Sequence, residues 1–370
     1  MKKVLQKFPL GLLALLLTLA LTQTGCQQRL SSEKKDLLKT EENPSSQEKT
    51  THEAQICSAN IQFLGSSKLR NNTALASLFN KNNCDIVVIQ ELIAPPDFQI
   101  LQQAPKQWAE IPKKFPNSED LIFPNERTTD FFQQMKAQGY DHYLLSEEDT
   151  GPGKKNHMNS SATEWWVTFY RSDVFEFAAD LPHGFLSSTL SQNSHFDRVP
   201  YAFPFRSRDG EFDFVLISVH LRPGPGTKDK IRRKEELTEI FNWIEDQQKA
   251  NNENDYIVLG DMNIENQREY ENLSKDIKFK SLNTRAQTNT NTNMTNPKPY
   301  DHVFLNPEFT SEITLENNFI VINLIKAMED QWLLPKNLYP GAPYNHNMFR
   351  LFYSDHHPVQ FKAQWSRDDD

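Results

Sequence analysis

The chain predicts an α/β fold, and three observations carry that reading. First, the apolar run Tyr256, Ile257, Val258 and Leu259 ends in Gly260, Asp261 and Asn263. Such a run is too apolar for a surface loop and too short for a helix. It suits a strand covered on both faces, with Gly260 letting the backbone turn as it leaves the sheet. Second, the pattern recurs: residues 86–89 run into Gln90 and Glu91, residues 215–219 into His220, and Ser354, Asp355, His356 and His357 lead into a strand-like 358–361. Third, residues 55–91 read as a strand, helix, strand unit, which places Asn60 and Glu91 on one sheet edge if the strands are parallel. The carboxyl ends of strands are where open α/β sheets collect ligands. An Asx turn closing the strand is the alternative for Asp261 and Asn263 taken alone.

Taken in order, the chain begins with Lys2 and Lys3, an apolar run over residues 8–21, then Thr24, Gly25 and Cys26. This describes an export signal, too short for a membrane span. The cysteine resembles a bacterial lipoprotein cleavage site, although Gln23 departs from the aliphatic residue usual there. The expectation is a lipoprotein-type signal peptide over residues 1–25 and a lipid-anchored membrane protein of the bacterial cell envelope, attached through lipidated Cys26. Simple secretion without an anchor, or a retained helix, is the alternative. Residues 26–54 form a disordered tether with few large apolar residues, which lets the body wander on the order of 30 Å. The folded domain is expected over residues 55–366.

Within that domain, residues 55–63 predict a first strand, and Ala74, Leu75, Leu78 and Phe79 fall at helical spacing. Residues 95–128, rich in proline, read as a long surface excursion. A helix is expected over residues 130–137, a short strand over 143–145 and a polar loop over 151–161. The aromatic strand EWWVTFYR over residues 164–171 uses Trp165 and Trp166 as core and face residues, or alternatively as a base-stacking platform. Arg208, Asp209 and Gly210 mark a hairpin into residues 212–220. Residues 228–248 predict a helix with Ile231, Leu237, Ile240, Phe241 and Ile244 on one side, and with Lys230, Arg232, Arg233 and Lys234 as a solvated face or a phosphate contact. Residues 328–352 form a second excursion.

The 370 residues bury an ample core, and a formal charge of -9 gives no general basic field for nucleic acid. Cys57 and Cys84 are expected as two buried free thiols, with a disulfide as the alternative in an oxidising compartment. No CxxC, HExxH, P-loop or GxSxG pattern is present.

With NIQ at Asn60, QE at Glu91, DRVP at Arg198, SVH at His220, GDMN at Asp261, YDH at Asp301 and SDHHPV at Asp355, the sequence resembles the endonuclease/exonuclease/phosphatase superfamily. The motifs keep their order from Gln55 to Trp365. NIQFLGSSKLRN, EWWVTFYR and HLRPGPG are similar to the type I deoxyribonucleases within it. The resemblance implies a four-layered α/β sandwich, two packed mixed β-sheets flanked by helices, with a divalent metal (Mg²⁺, Mn²⁺ or Ca²⁺) at one edge. It implies Glu91 as principal metal ligand with Asn60 beside it, Asp261 holding a second metal or the attacking water, and Asp355 completing the metal site. Asn263 and Arg198 would contact the scissile phosphate. His220 and His356 would be the catalytic histidines, partnered by Glu164 and Asp301. Two departures bear on duplex DNA: Ala162 stands where the deoxyribonucleases carry a minor-groove tyrosine, and Ile93 where they carry a groove-reading arginine.

The residue types support this chemistry in their own right. A phosphodiester is anionic, and a set of Glu, Asp and Asn oxygens suits a hard cation rather than zinc. An imidazole held by a carboxylate keeps one tautomer and gains basicity, so it can move protons near neutral pH. The leading expectation is a monomeric, divalent-metal-dependent phosphodiester hydrolase acting on nucleic acid. A membrane-associated phospholipid phosphodiesterase of sphingomyelinase type, or a phosphatase, is the alternative, with Trp332, Leu333, Leu334, Tyr339, Tyr344 and Phe349 as an interfacial loop. A catalytically silent binding protein is the third reading.

Overall fold

The computed structural model describes residues 50–97, 100, 125–147, 149–150, 164–187, 194–275, 277–283, 289–331 and 345–368. The signal peptide, nearly all of the tether, most of the proline-rich excursion, the polar loop, Ala162 and residues 332–344 lie outside them. No described helix is long and apolar enough to cross a membrane.

Strand β1 (His52–Leu64) starts three residues before the expected domain boundary, because His52, Glu53 and Ala54 pair with Trp365, Gln364 and Ala363 and so leave the tether. Helix α1 (Asn72–Lys81) is capped by the Asn71 side chain, which accepts from the Ala74 N–H, and it buries Leu75, Leu78 and Phe79. It leads into β2 (Ile86–Leu92), which runs parallel to β1 with Asn60 opposite Gln90. Helix α2 (Glu126–Ala137) begins inside the expected excursion, since the Asn125 side chain accepts from the N–H groups of Arg127 and Thr128 and nucleates it there. Short strands β3 (His142–Leu145), β4 (Trp165–Tyr170), β5 (Phe175–Phe177) and β6 (Gly184–Phe185) follow. The predicted hairpin joins β7 (Tyr201–Ser207) to β8 (Asp213–His220). Helix α3 (Thr227–Ala250) then crosses to β9 (Tyr256–Asp261), parallel to β8. The remainder is α4 (Gln267–Ser274), β10 (Lys280–Ser281), β11 (Asp301–Leu305), β12 (Ile320–Val321), α5 (Leu324–Ala327), α6 (His346–Phe352) and β13 (Val359–Trp365).

Two mixed sheets result. One runs β12-β13-β1-β2-β4-β3; the other runs β10-β11-β9-β8-β7-β5, with β6 also paired to β7. Period-two alternation gives each sheet two apolar faces. Ile56, Val88, Trp166 and Phe361 of the first pack against Phe203, Leu216, Leu259 and Val303 of the second. The outer faces are covered separately, the first by Leu75, Phe79, Phe131, Phe132 and Phe349 from α1, α2 and α6, the second by Leu237, Ile240, Phe241, Ile244, Tyr270 and Leu273 from α3 and α4. This is the four-layered α/β sandwich.

Three expectations change. On α3, Ile231 is 54% exposed while Arg233 is fully buried. Arg233 forms an ion pair with Glu269 at 2.6 Å and donates to the carbonyls of Arg222 and Gly224, so the buried stripe begins at the guanidinium and continues through Glu236, Leu237 and Ile240. Gly260 does not turn the chain out of the sheet. It pairs with Val219 and His302 inside it, at φ +138°, where a Cβ would lie 2.2 Å from the Val219 carbonyl oxygen. Cys57 and Cys84 are joined rather than free. Cys84 lies two residues before β2, which pairs with β1, and a Cα–Cα distance of 5.8 Å suits a bridge.

That disulfide closes a loop with a sequence separation of 27. Replacing both cysteines by alanine should lower the unfolding free energy by about 3 kcal/mol in urea titrations. A second expectation concerns acid. Burial holds His302, wedged between Ser281 Oγ and the Pro299 carbonyl, down at about 4, and burial with the neighbouring His356 does the same to His357. Groups that are neutral when folded give stability that is present above pH 6.5 and lost as pH falls toward 4, up to about 3 kcal/mol each. Urea midpoints measured at steps between pH 7 and 4 should fall through that window; a flat profile would contradict it.

Candidate active site

The register of the second sheet sets the site. His220 on β8 and Asp301 on β11 are each paired with Asp261, so three polar side chains stand abreast at the ends of adjacent strands. From the first sheet come Asn60 on β1, Glu91 on β2, Glu164 just before β4, and His356 just before β13. Parallel pairing of β1 and β2 delivers the expected juxtaposition: Asn60 Nδ2 donates to Glu91 Oε1 at 3.0 Å. The same amide nitrogen donates across to Asp261 Oδ2 at 2.9 Å.

Glu91 faces the site because the chain leaves regular pleating there. Its φ is +65°, and the pairing of β2 with both β1 and β4 shifts register around it. A left-handed glutamate costs roughly 1–3 kcal/mol. Phe63, also left-handed, answers by donating its N–H to Glu91 Oε2 at 2.8 Å. Asn263 is a third such residue, at φ +52°, a conformation that asparagine tolerates well. Its N–H donates to Asp261 Oδ1 at 2.8 Å and its side-chain amide to the Leu221 carbonyl at 3.1 Å.

Two imidazole–carboxylate pairs flank Asp261. His220 Nδ1 lies 2.9 and 3.0 Å from the two Glu164 oxygens, and His356 Nδ1 lies 2.8 Å from Asp301 Oδ2. The opposite nitrogens both turn inward: His220 Nε2 is 3.4 Å and His356 Nε2 is 3.5 Å from Asp261 Oδ2. With Nδ1–H held by a carboxylate, each ring presents Nε2 to the centre. Tyr300 packs against the His356 ring, with centroids 5.6 Å apart.

Burial and charge then compete. Burial pushes the Glu91 carboxyl above its usual range, with Glu164 and Asp355 adding to the effect and His220 opposing it. Burial likewise raises Asp261, against the pull of both histidines. For His356, burial alone would depress the imidazolium, but Asp301 and Asp261 outweigh it and the pKa stands well above 6.5. His220 is raised too, as Glu164 and Asp261 overcome burial and the nearby Arg198.

Arg198 is 5% exposed and turned inward. Its Nε meets Glu164 Oε1 at 2.6 Å and its Nη1 donates to the His220 carbonyl at 3.1 Å, so it braces the His220–Glu164 pair. Asp355 lies beside the Glu91 end and accepts from Gln62 Nε2 at 2.7 Å. Gln62 was not read from the sequence, although alternation places it on the same face of β1 as Asn60. Ser354 and Arg70 were missed as well. Ser354 Oγ donates to the Asn60 carbonyl at 2.7 Å, and Arg70, half-buried, donates to the Arg350 and Gln62 carbonyls.

The donor set fits a hard divalent cation. Glu91, Asn60, Asp261 and Asp355 offer only oxygen, and both Asn60 Oδ1 and Asp355 Oδ1 are buried without a hydrogen-bond partner among the described residues. Such orphaned acceptors are what a cation would satisfy.

Among solved structures the chain is similar to an endonuclease/exonuclease/phosphatase family protein from Leptotrichia buccalis, with a TM-score of 0.50 and 13% identity over 84% of this chain and 99% of that one. It is also similar to a family protein of the same description from Bacteroides thetaiotaomicron (TM-score 0.49, 15% identity, 86% and 96% covered) and to the human nocturnin catalytic domain with bound sulfate anion (TM-score 0.46, 12% identity, 84% and 93% covered). The likeness is one of fold. No family model and no curated protein matches the chain.

A raised imidazole gives stability that is whole below pH 6.5 and is lost as pH climbs through its folded value. In chelator, an NMR titration of the His356 ring should show a midpoint well above 6.5, and Asp301→Asn should bring it down. A wild-type midpoint at or below 6.5 would contradict the arrangement.

Proposed function

We propose that this chain is a divalent-metal-dependent phosphodiester hydrolase of the endonuclease/exonuclease/phosphatase superfamily, acting on nucleic acid as the type I deoxyribonucleases do. One observation carries the reading. Two imidazoles, each backed by its own carboxylate, meet at Asp261 Oδ2 beside an all-oxygen donor set. A structural histidine needs no such partner. Two of them converging on one acid make a site able to take a proton on one side of a reacting phosphorus and give one on the other.

Glu91 and Asn60, with Asp261 or Asp355, would hold the cation. When bound, Mg²⁺, Mn²⁺ or Ca²⁺ supplies charge that polarises a phosphoryl oxygen and steadies the departing alkoxide. The remaining work falls to the chain. Glu164 and Asp301 fix the two rings so that both Nε2 atoms face the reacting centre. The imidazole that is neutral draws a proton from water oriented on Asp261, and the protonated one returns a proton to the leaving oxygen. Asn263, with one amide hydrogen on the Leu221 carbonyl, directs the other toward the scissile phosphate. Arg198 holds Glu164 in place. The same reading holds the enzyme, as a monomer, at the bacterial envelope through lipidated Cys26 and the polar tether.

Wild-type protein beside His220→Ala and His356→Ala should be assayed on plasmid, single-stranded DNA, RNA and sphingomyelin liposomes, with Mg²⁺ and with chelator. Nucleic acid should be cut with metal and spared in chelator, and each variant should lose about 10²–10⁴ in rate. Lipid cleavage with all nucleic acids intact would move the substrate to phospholipid. Hydrolysis of none of them would remove the proposal.

A further inference from the structure

The outer helical layer carries a basic recess at the same edge of the sandwich as the histidines. β8 and β9 run parallel and end at His220 and Asp261, so the helices that follow them, α3 and α4, both start at that edge. Between the two helices lies a cavity of about 510 Å³, lined by Lys230, Ile231 and Lys234 of α3, by Arg268 and Asn272 of α4, and by Asn266 at the α4 cap. Few bonds separate it from the site. Asn263 donates to the Leu221 carbonyl, and Arg233 holds the Arg222 and Gly224 carbonyls of the same loop while pairing with Glu269 in the cavity wall.

Three observations set this recess apart from a solvated face. Its charge is uncompensated: Glu269 is the acid in the wall, and Arg233 takes it at 2.6 Å, leaving Lys230 4.0 Å away. Lys234 and Arg268 are exposed and form no ion pair among the described residues, in a chain whose net charge is -9. The second observation is where the cations stand. Lys230 and Arg268 lie near the starts of their helices, where the partial positive charge of the backbone disfavours a cation and favours an anion. The third is the supply of other contacts. Asn266 Oδ1 accepts the Glu269 N–H at 3.1 Å, which leaves its amide hydrogens without an acceptor among the described residues, and Ile231 gives the rim an apolar side chain that is 54% exposed.

We propose that this recess, given the activity on nucleic acid proposed above, is a phosphate subsite that takes the backbone of the substrate strand beyond the scissile bond. Lys230, Lys234 and Arg268 pair with a flanking phosphodiester, the Asn266 amide donates to it, and Ile231 lies along the sugar. Contacts of this kind position a strand without reading its sequence. A chain with no general basic field can hold a polyanion in this way, since the attraction is concentrated beside the reacting bond.

The test is Lys234→Ala with Arg268→Ala, which removes two exposed cations and leaves the buried Arg233–Glu269 pair intact. Binding of a fluorescent single-stranded DNA oligonucleotide is read by anisotropy in chelator. With Mg²⁺, cleavage of the same strand is compared with hydrolysis of bis(4-nitrophenyl) phosphate, a diester that has no flanking phosphate. The variant should bind the strand roughly 20-fold more weakly at about 0.1 M salt, and the slope of log affinity on log salt should shrink by about 1.4. Its KM for the strand should rise by a similar factor with kcat kept, and the small diester should be hydrolysed as by wild type. Lys234→Arg with Arg268→Lys should restore both affinity and KM. Equal affinity and KM in the alanine variant and a cleaving wild type would overturn the subsite alone. So would a loss on the small diester as large as that on the strand, since the damage would then lie in the catalytic edge. Wild type that binds without cutting, with binding weakened in the variant, would remove the activity and keep the subsite; wild type that neither binds nor cuts would remove both.

Discussion

The site depends on one buried oxygen. Asp261 Oδ2 accepts from the Asn60 amide and lies within 3.5 Å of both inward-facing imidazole nitrogens. A carboxylate out of water is tolerated only when donors and positive charge surround it. Here those donors arrive from the ends of three strands, so the demand of one charge fixes where β1 and β8 end and where β13 begins relative to β9. Gly260 makes this possible one residue earlier, since any side chain would strike the Val219 carbonyl and push β9 away from β8.

Much of this was legible in the residues. An apolar run ending in a polar group reads as a strand that delivers that group to an edge, and Asn60, Glu91, His220, Asp261 and His356 were all found that way. Parallel pairing of β1 with β2 followed from the intervening helix. The four-layer arrangement came from resemblance to a known family, because period-two patterning says that both faces of a strand are covered and not by what. The errors share a cause. Arg233 looks like a solvated lysine-type residue until Glu269, from another helix, gives its charge a partner. Cys57 and Cys84 look like separate buried thiols until the fold brings their Cα atoms to 5.8 Å. Each depends on a neighbour distant in sequence, which local pattern does not encode.

The left-handed turn at Glu91 belongs to the same logic. A strained, half-buried glutamate is destabilising on its own, and the fold retains it because the Asn60 amide and the Phe63 N–H each take one oxygen. Strain held by surrounding hydrogen bonds keeps the carboxylate aimed before any ligand arrives, so little reorganisation is left for the binding step.

Neither sheet owns a complete proton-transfer pair. His220 belongs to the second sheet and its carboxylate to the first; His356 belongs to the first and its carboxylate to the second; the Asn60–Asp261 bond crosses the same gap. A nascent chain with one sheet formed and the other open therefore carries only disconnected fragments of a site. The two imidazole–carboxylate pairs and the Asn60–Asp261 bond are completed together, when the two sheets close on each other.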